Sequence, residues 1–225
     1  MLERSTAGLD GARRGDLNRT VLETVLHIID AAKGVTFNLR PYGFQMSQPS
    51  ERSTSFDNHI QRRLSTLRNV FADGNAYQEM VISCDPIVYE VYENCRPEIA
   101  GELLCGLSIV HPGRVGHEYF MTRGHYHRVR ETAEIYYCLH GEGYLLMQNE
   151  AGETATEQFS KGRVIYVTPG WAHRSINTGK QDLVTFFVYP GHAGHDYEAI
   201  DSAGFHKRIF DQEGNATIVD SPGKG

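Results

Sequence analysis

The spacing of apolar residues changes character along the chain. Between Leu17 and Lys33 the residues Val21, Leu22, Val25, Leu26, Ile28 and Ile29 recur near the helical period. Thr20 and Glu23 have capping-box spacing, and Gly34 follows as a stop. This predicts a helix that packs on the domain or on a partner subunit. In Asn58 to Phe71, the residues Ile60, Leu64, Leu67 and Phe71 share one helical face, which predicts a second helix. From about Ala76 the pattern becomes β-like. Pro86 to Tyr92, Leu103 to Val110, Glu134 to Cys138, Gly143 to Gln148, Arg163 to Val167 and Leu183 to Tyr189 are short β-rich runs. Gly141-Glu142-Gly143 between two of them reads as a hairpin turn.

Short strands joined by Gly-rich turns, with no helices between them, predict a mainly β barrel or sandwich. The expected organisation is an N-terminal tail and helix over 1–36 and a single domain over 37–225, its barrel core at about 76–190. The length of 225 residues suits one such domain better than two.

Charge narrows the partners. The formal net charge is −6, and no basic stripe appears, so a nucleic-acid partner is not expected. An anionic ligand would need a few donors gathered in one pocket. No apolar run approaches the ~20 residues that span a bilayer, so no membrane partner is expected. Met1 to Asp16 is polar, without the apolar stretch of a signal peptide. Cys84, Cys95, Cys105 and Cys138 form no Cys-x-x-Cys motif. The expectation is reduced thiols and a cytoplasmic protein.

The chemistry lies in Gly124-His125-Tyr126-His127 and in Glu134. Residues i and i+2 of a strand face the same side, so His125 and His127 can both point inward. Two imidazoles on one face are half of a metal site. Such a pair alone is weak evidence, since two surface histidines would look the same. Downstream, however, Gly162 opens a segment that runs through Thr168-Pro169-Gly170-Trp171-Ala172-His173 to Asn177.

Together these segments resemble the two motifs of the cupin superfamily, Gly…His-x-His…Glu…Gly and Gly…Pro-x-Gly-x-x-His-x-x-x-Asn, with Thr168 standing for the first proline. The resemblance implies a cupin-type antiparallel β-barrel (jelly roll), with His125, His127, Glu134 and His173 as ligands to one divalent transition metal. Such a set suits Fe, Mn, Ni, Zn or Co, and iron is the first expectation.

More specific segments are Asp85 to Tyr92, Thr122 to His127, Glu134-Ile135-Tyr136, Trp171 to Gly179, and Tyr189-Pro190-Gly191-His192-Ala193-Gly194-His195-Asp196-Tyr197. In this order they resemble the cupin-type glucose-6-phosphate isomerases of archaea and some bacteria, from roughly Asp85 to Val219. That likeness implies metal-dependent exchange of glucose-6-phosphate and fructose-6-phosphate, a step of glycolysis and gluconeogenesis. It implies Glu134 as base, Tyr136 beside the sugar, and Tyr89, Ser108, Thr122, Gly124, Tyr189 and His195 as substrate contacts. It also implies a homodimer. Ser108 stands where the family commonly has threonine, and His111 where it often has tyrosine. The alternatives are another metal-cupin enzyme such as a dioxygenase, a sugar-binding cupin, or an isomerase of a related sugar phosphate such as mannose-6-phosphate.

Overall fold

The computed structural model describes residues 27–30, 35–38, 41–44 and 56–221. The chain divides into two units, Met1–Phe44 and Gln45–Gly225. In the first, β1 (His27–Asp30) runs antiparallel to β2 (Val35–Asn38), with Ile28 opposite Phe37 and Ile29 opposite Thr36. His27–Asp30 was expected at the end of a helix, and this is a correction. Adjacent β-branched isoleucines favour an extended backbone once a partner strand is present. Residues 17–26 of that expected helix lie outside the described residues.

The second unit opens with β3 (Asn58–Arg63), a 3-10 turn (Leu64–Thr66) and α1 (Gly74–Ser83). Then come β4 (Ile87–Asn94), β5 (Leu103–Val110), β6 (Arg114–Val115), β7 (Glu118–Tyr119) and β8 (Tyr126–His127). These are followed by β9 (Glu134–His140), β10 (Glu142–Asn149), β11 (Thr154–Ser160), β12 (Val164–Val167), β13 (Trp171–Asn177) and β14 (Leu183–Pro190). The described chain closes with β15 (His195–Asp196), α2 (Glu198–Ala203), β16 (Lys207–Gln212) and β17 (Asn215–Asp220).

The strands form a six-stranded sheet in the order β12-β9-β14-β5-β4-β3 and a three-stranded sheet β11-β10-β13. A four-stranded sheet β17-β16-β7-β6 and the pair β15-β8 complete the unit. Paired strands are antiparallel throughout. Tyr136, Cys138 and Phe187 of the large sheet share one buried cluster with Leu145, Met147 and Ile176 of the small one. The two sheets therefore face each other across a common core, the mainly β, jelly-roll-like arrangement expected. Strand β9 displays the period-2 rule directly: Glu134, Tyr136 and Cys138 are buried, whereas Ile135 and Tyr137 are exposed.

The helix expected over Asn58 to Phe71 is not formed. Asn58–Arg63 is a strand paired with β4, and Asn58 and Gln61 donate to Glu93 and Glu90 at 3.0 and 2.9 Å. Cross-strand partners for polar residues outweigh a helical stripe whose first member, Ile60, is only half-buried. The β-rich region was expected to start near Ala76, but Gly74–Ser83 is helical. Asp73 caps it, accepting from the amides of Asn75 and Ala76 at 3.1 and 2.9 Å. Tyr77 is buried beneath it, with Met80 and Val81 packed against the core.

Candidate metal centre and substrate pocket

His125, His127, Glu134 and His173 meet between the two sheets. One ligand atom from each lies within 4.8 Å of the others. Strand pairing brings them there. His125 bridges His173 across an isolated β-bridge, His127 lies on β8, and Glu134 opens β9. His127, Glu134 and His173 are buried, and the Nε2 of His125 is shielded from solvent.

The hydrogen bonds fix which nitrogens face the centre. His127 Nδ1 lies 2.9 Å from Thr132 Oγ1 and 3.2 Å from the Thr132 carbonyl. The Thr132 hydroxyl donates to Val129 O at 2.6 Å, so both of these oxygens accept from Nδ1–H. In the neutral ring, Nε2 then carries a bare lone pair. It points at Glu134 Oε2 from 3.0 Å. His173 repeats the arrangement: Nδ1–H donates to Trp171 O at 3.3 Å, and Nε2 lies 2.9 Å from the same carboxylate oxygen. That second approach lacks hydrogen-bond geometry, and Nε2 of both His125 and His173 has no hydrogen-bond partner. Lone pairs turned toward one carboxylate repel unless a cation lies among them, so the residues fit a divalent ion.

Electrostatics agree. Burial, with the neighbouring imidazoles of His173 and His195, pushes the His125 pKa well below the ordinary value, which keeps the ring neutral. Burial alone would raise the Glu134 carboxyl. The adjacent His173 and His127 outweigh it and hold Glu134 well below the usual carboxylate range. Burial and then the Glu134 charge push Tyr136 well above its usual pKa.

An aromatic wall extends from the centre. His195 stacks edge-on to His125 with centroids 4.4 Å apart, and Tyr189 lies 5.5 Å from His195 and 5.8 Å from His127. Tyr197 stacks on His195 at 5.7 Å. Burial pushes Tyr189 upward in pKa and Tyr197 up to about 12, so both phenols remain donors.

Residues 61–221 match the family model described as glucose-6-phosphate isomerase. A glucose-6-phosphate isomerase of Thermococcus gammatolerans is 44% identical over 72% of this chain and 86% of its own length. Those of Pyrococcus abyssi and Pyrococcus furiosus are 42% and 40% identical over 72% of this chain and 86% and 85% of theirs. This chain belongs to the glucose-6-phosphate isomerase family. Among solved structures, a Klebsiella pneumoniae protein with a double-stranded β-helix domain overlaps 43% of this chain and 74% of its own, at 20% identity and TM-score 0.35.

Within this isomerase family member, the other sequence-predicted site residues stand apart from the metal cluster. Tyr89 is buried on β4 opposite Arg62, and its phenol feels the charges of Arg62 and Arg123. Thr122 Oγ1 accepts from the Ser175 amide at 3.0 Å, which leaves its own proton free to donate. Ser108 is buried on β5, in register with Val91 and Thr185. Gly124 turns with φ +77°, and a Cβ there would lie 2.6 Å from the Phe205 ring. Only glycine therefore lets this turn pack against Phe205 and Arg174. His111, the replacement noted above, is taken up by Asp182 at 2.8 Å and Glu90 at 3.1 Å.

Three contributors escaped the sequence reading. Thr132 orients His127, Tyr197 extends the aromatic wall, and Arg62 stands opposite Tyr89. Tyr197 closes a recognised segment, a usable signal. Thr132 and Arg62 carry none, because their partners are set by loop closure and strand register.

Proposed function

We propose that this chain interconverts glucose-6-phosphate and fructose-6-phosphate, using one divalent metal held by His125, His127, Glu134 and His173. The reading rests chiefly on three imidazoles converging on one buried carboxylate, in a chain of this family. A divalent ion there would supply Lewis-acid polarisation of the sugar oxygens. Iron is our first choice, with Mn, Ni, Zn or Co able to use the same donors.

The chain's own groups account for the proton traffic. Glu134 stays ionised in a dry site, so it can take a proton from the carbon beside the sugar carbonyl and return it to the neighbouring carbon. Tyr136, kept protonated beside it, can donate to a sugar oxygen or hold the carboxylate in place. His195 and Tyr189 close the pocket around the sugar, and Tyr89, Ser108, Thr122 and the Gly124 turn offer hydroxyls and amides to its phosphate.

The functional domain is read as 37–225, acting in the cytoplasm, where its free cysteines would stay reduced. Among the described residues no helix is long and apolar enough to cross a membrane. A homodimer is the expected assembly. Ile135, Tyr137, Val164 and Tyr166 support it, being exposed side by side on the outer face of β9 and β12.

The decisive experiment is a coupled assay for glucose-6-phosphate from fructose-6-phosphate, with and without a chelator, followed by single-metal add-back. Activity lost on chelation and restored by one metal is expected. Full activity after verified metal removal would overturn the reading.

A further inference from the structure

We infer that Arg62 is the cation that recognises the phosphate monoester of the substrate at the pocket mouth, a specificity residue set by strand register. The inference deepens the isomerase reading and rests on it for the identity of the sugar.

The position follows from β3. Arg62 lies directly opposite Tyr89 in the β3–β4 ladder, and the register shifts immediately afterwards, between Arg62 and Arg63. Residues opposite each other share a face, so Arg62 stands on the side of the sheet where Tyr89 enters the core. Its positive charge acts on the buried Tyr89 phenol beside it. Its charge is also felt at Tyr197, whose ring stacks on His195 of the aromatic wall. Arg62 itself is exposed. A solvent-facing guanidinium thus stands across the ladder from Tyr89, and Arg123, between Thr122 and Gly124, lies 4.7 Å over the Tyr197 ring.

Three other arginines around the site are already engaged. Arg123 lies near the same rings, 4.7 Å over Tyr197, but its guanidinium is ion-paired with Asp201. Arg130 is held by Asp196 at 2.7 Å and by Glu150 at 2.9 Å. Arg174 is buried against Phe205 and donates to the Arg123 carbonyl. Among the described residues no carboxylate forms an ion pair with Arg62. A doubly charged phosphate approaching a chain of net charge −6 needs an uncommitted cation, and a planar fork fits two phosphate oxygens at once.

The test combines kinetics with direct binding on the metal-loaded full chain. Arg62→Gln removes the charge, and Arg62→Lys keeps the charge but loses the fork. For R62Q, KM for fructose-6-phosphate and the inhibition constant of inorganic phosphate should both rise about 10- to 100-fold, well beyond any change in kcat. R62K should fall between R62Q and the wild type. A residue that merely supports the fold would lower kcat and thermal midpoint together, without this split. If the wild type isomerises and both variants keep its KM and its phosphate inhibition, the inference is overturned while the isomerase reading stands. If the wild type does not isomerise, that reading fails, and calorimetric titration with inorganic phosphate decides the inference alone. Weaker binding in R62Q than in wild type supports it. Equal affinity, or no binding by either, defeats it.

Discussion

His127 presents Nε2 to Glu134 Oε2 at 3.0 Å because Thr132 holds its other nitrogen from behind. The Thr132 hydroxyl is committed to Val129 O, so it can only accept from the ring. A side chain outside the ligand set thus selects the tautomer that binds metal. Thr132→Val keeps the shape and removes the hydroxyl acceptor. Metal affinity should fall about 10- to 100-fold, by analogy with other outer-shell changes at metal sites. Titration of the metal-free protein would measure it. Unchanged affinity in T132V would mean that the Thr132 carbonyl, 3.2 Å away, suffices to hold the ring.

Glu134 serves two purposes in the proposed chemistry, as ligand and as base. Glu134→Gln keeps the size and removes the charge. Turnover should fall about 10²- to 10⁴-fold, the usual worth of a positioned acid–base group. Metal content should be measured beside the rate. A rate loss that persists at full metal occupancy assigns the proton transfer to this carboxylate. A rate loss that disappears once metal is saturating leaves Glu134 only its ligand role.

Stability should hinge on a different carboxylate. Glu118 is 1% exposed, accepts from the Ala72 amide at 2.7 Å and pairs with Arg208 at 2.6 Å. Arg208 also donates to Val70 O at 3.0 Å, so the pair ties β7 and β16 to the loop before α1. Glu118→Ala leaves the mostly buried guanidinium without its partner, a loss of about 3–5 kcal/mol. The thermal midpoint should drop by roughly 6–20 °C for a chain of this size. A shift of a degree or two would show that the guanidinium finds water at little cost.

How much of this could be read from sequence depended on how local each signal was. His125 and His127 were legible because strand alternation puts i and i+2 on one face, and His173 because it follows the turn at Pro169-Gly170. The strand character of β4, β5, β9, β10, β12 and β14 was legible for the same reason. Strand β3 was misread. Its Ile60 fits a helical stripe as well as a strand, and only pairing with Tyr89 and Val91 decides between them. Helix α1 was missed because its burial rests on Tyr77 rather than on a full apolar stripe. The pairing of Arg62 with Tyr89 depends on that same register, so it could not be seen before the strand was.

The outer face of β9 and β12 carries the last prediction. Val164 lies opposite Tyr137 and Tyr166 opposite Ile135, and these four side chains are 38–58% exposed. Strand β12 is also the edge of the six-stranded sheet, with one ladder side unpaired. Contiguous apolar side chains beside an open strand edge mark a surface that gains from being covered. A second copy satisfies this with a two-fold contact, in which the same patch meets itself. The wild type should therefore sediment as a dimer. Tyr166→Glu places like charges across such a contact and should shift the protein to monomer. The metal centre lies on the opposite face of β9, so metal content should persist in the variant. A wild type that sediments as a monomer at assay concentrations would defeat the assembly, and a dimer untouched by Y166E would move the contact to another face.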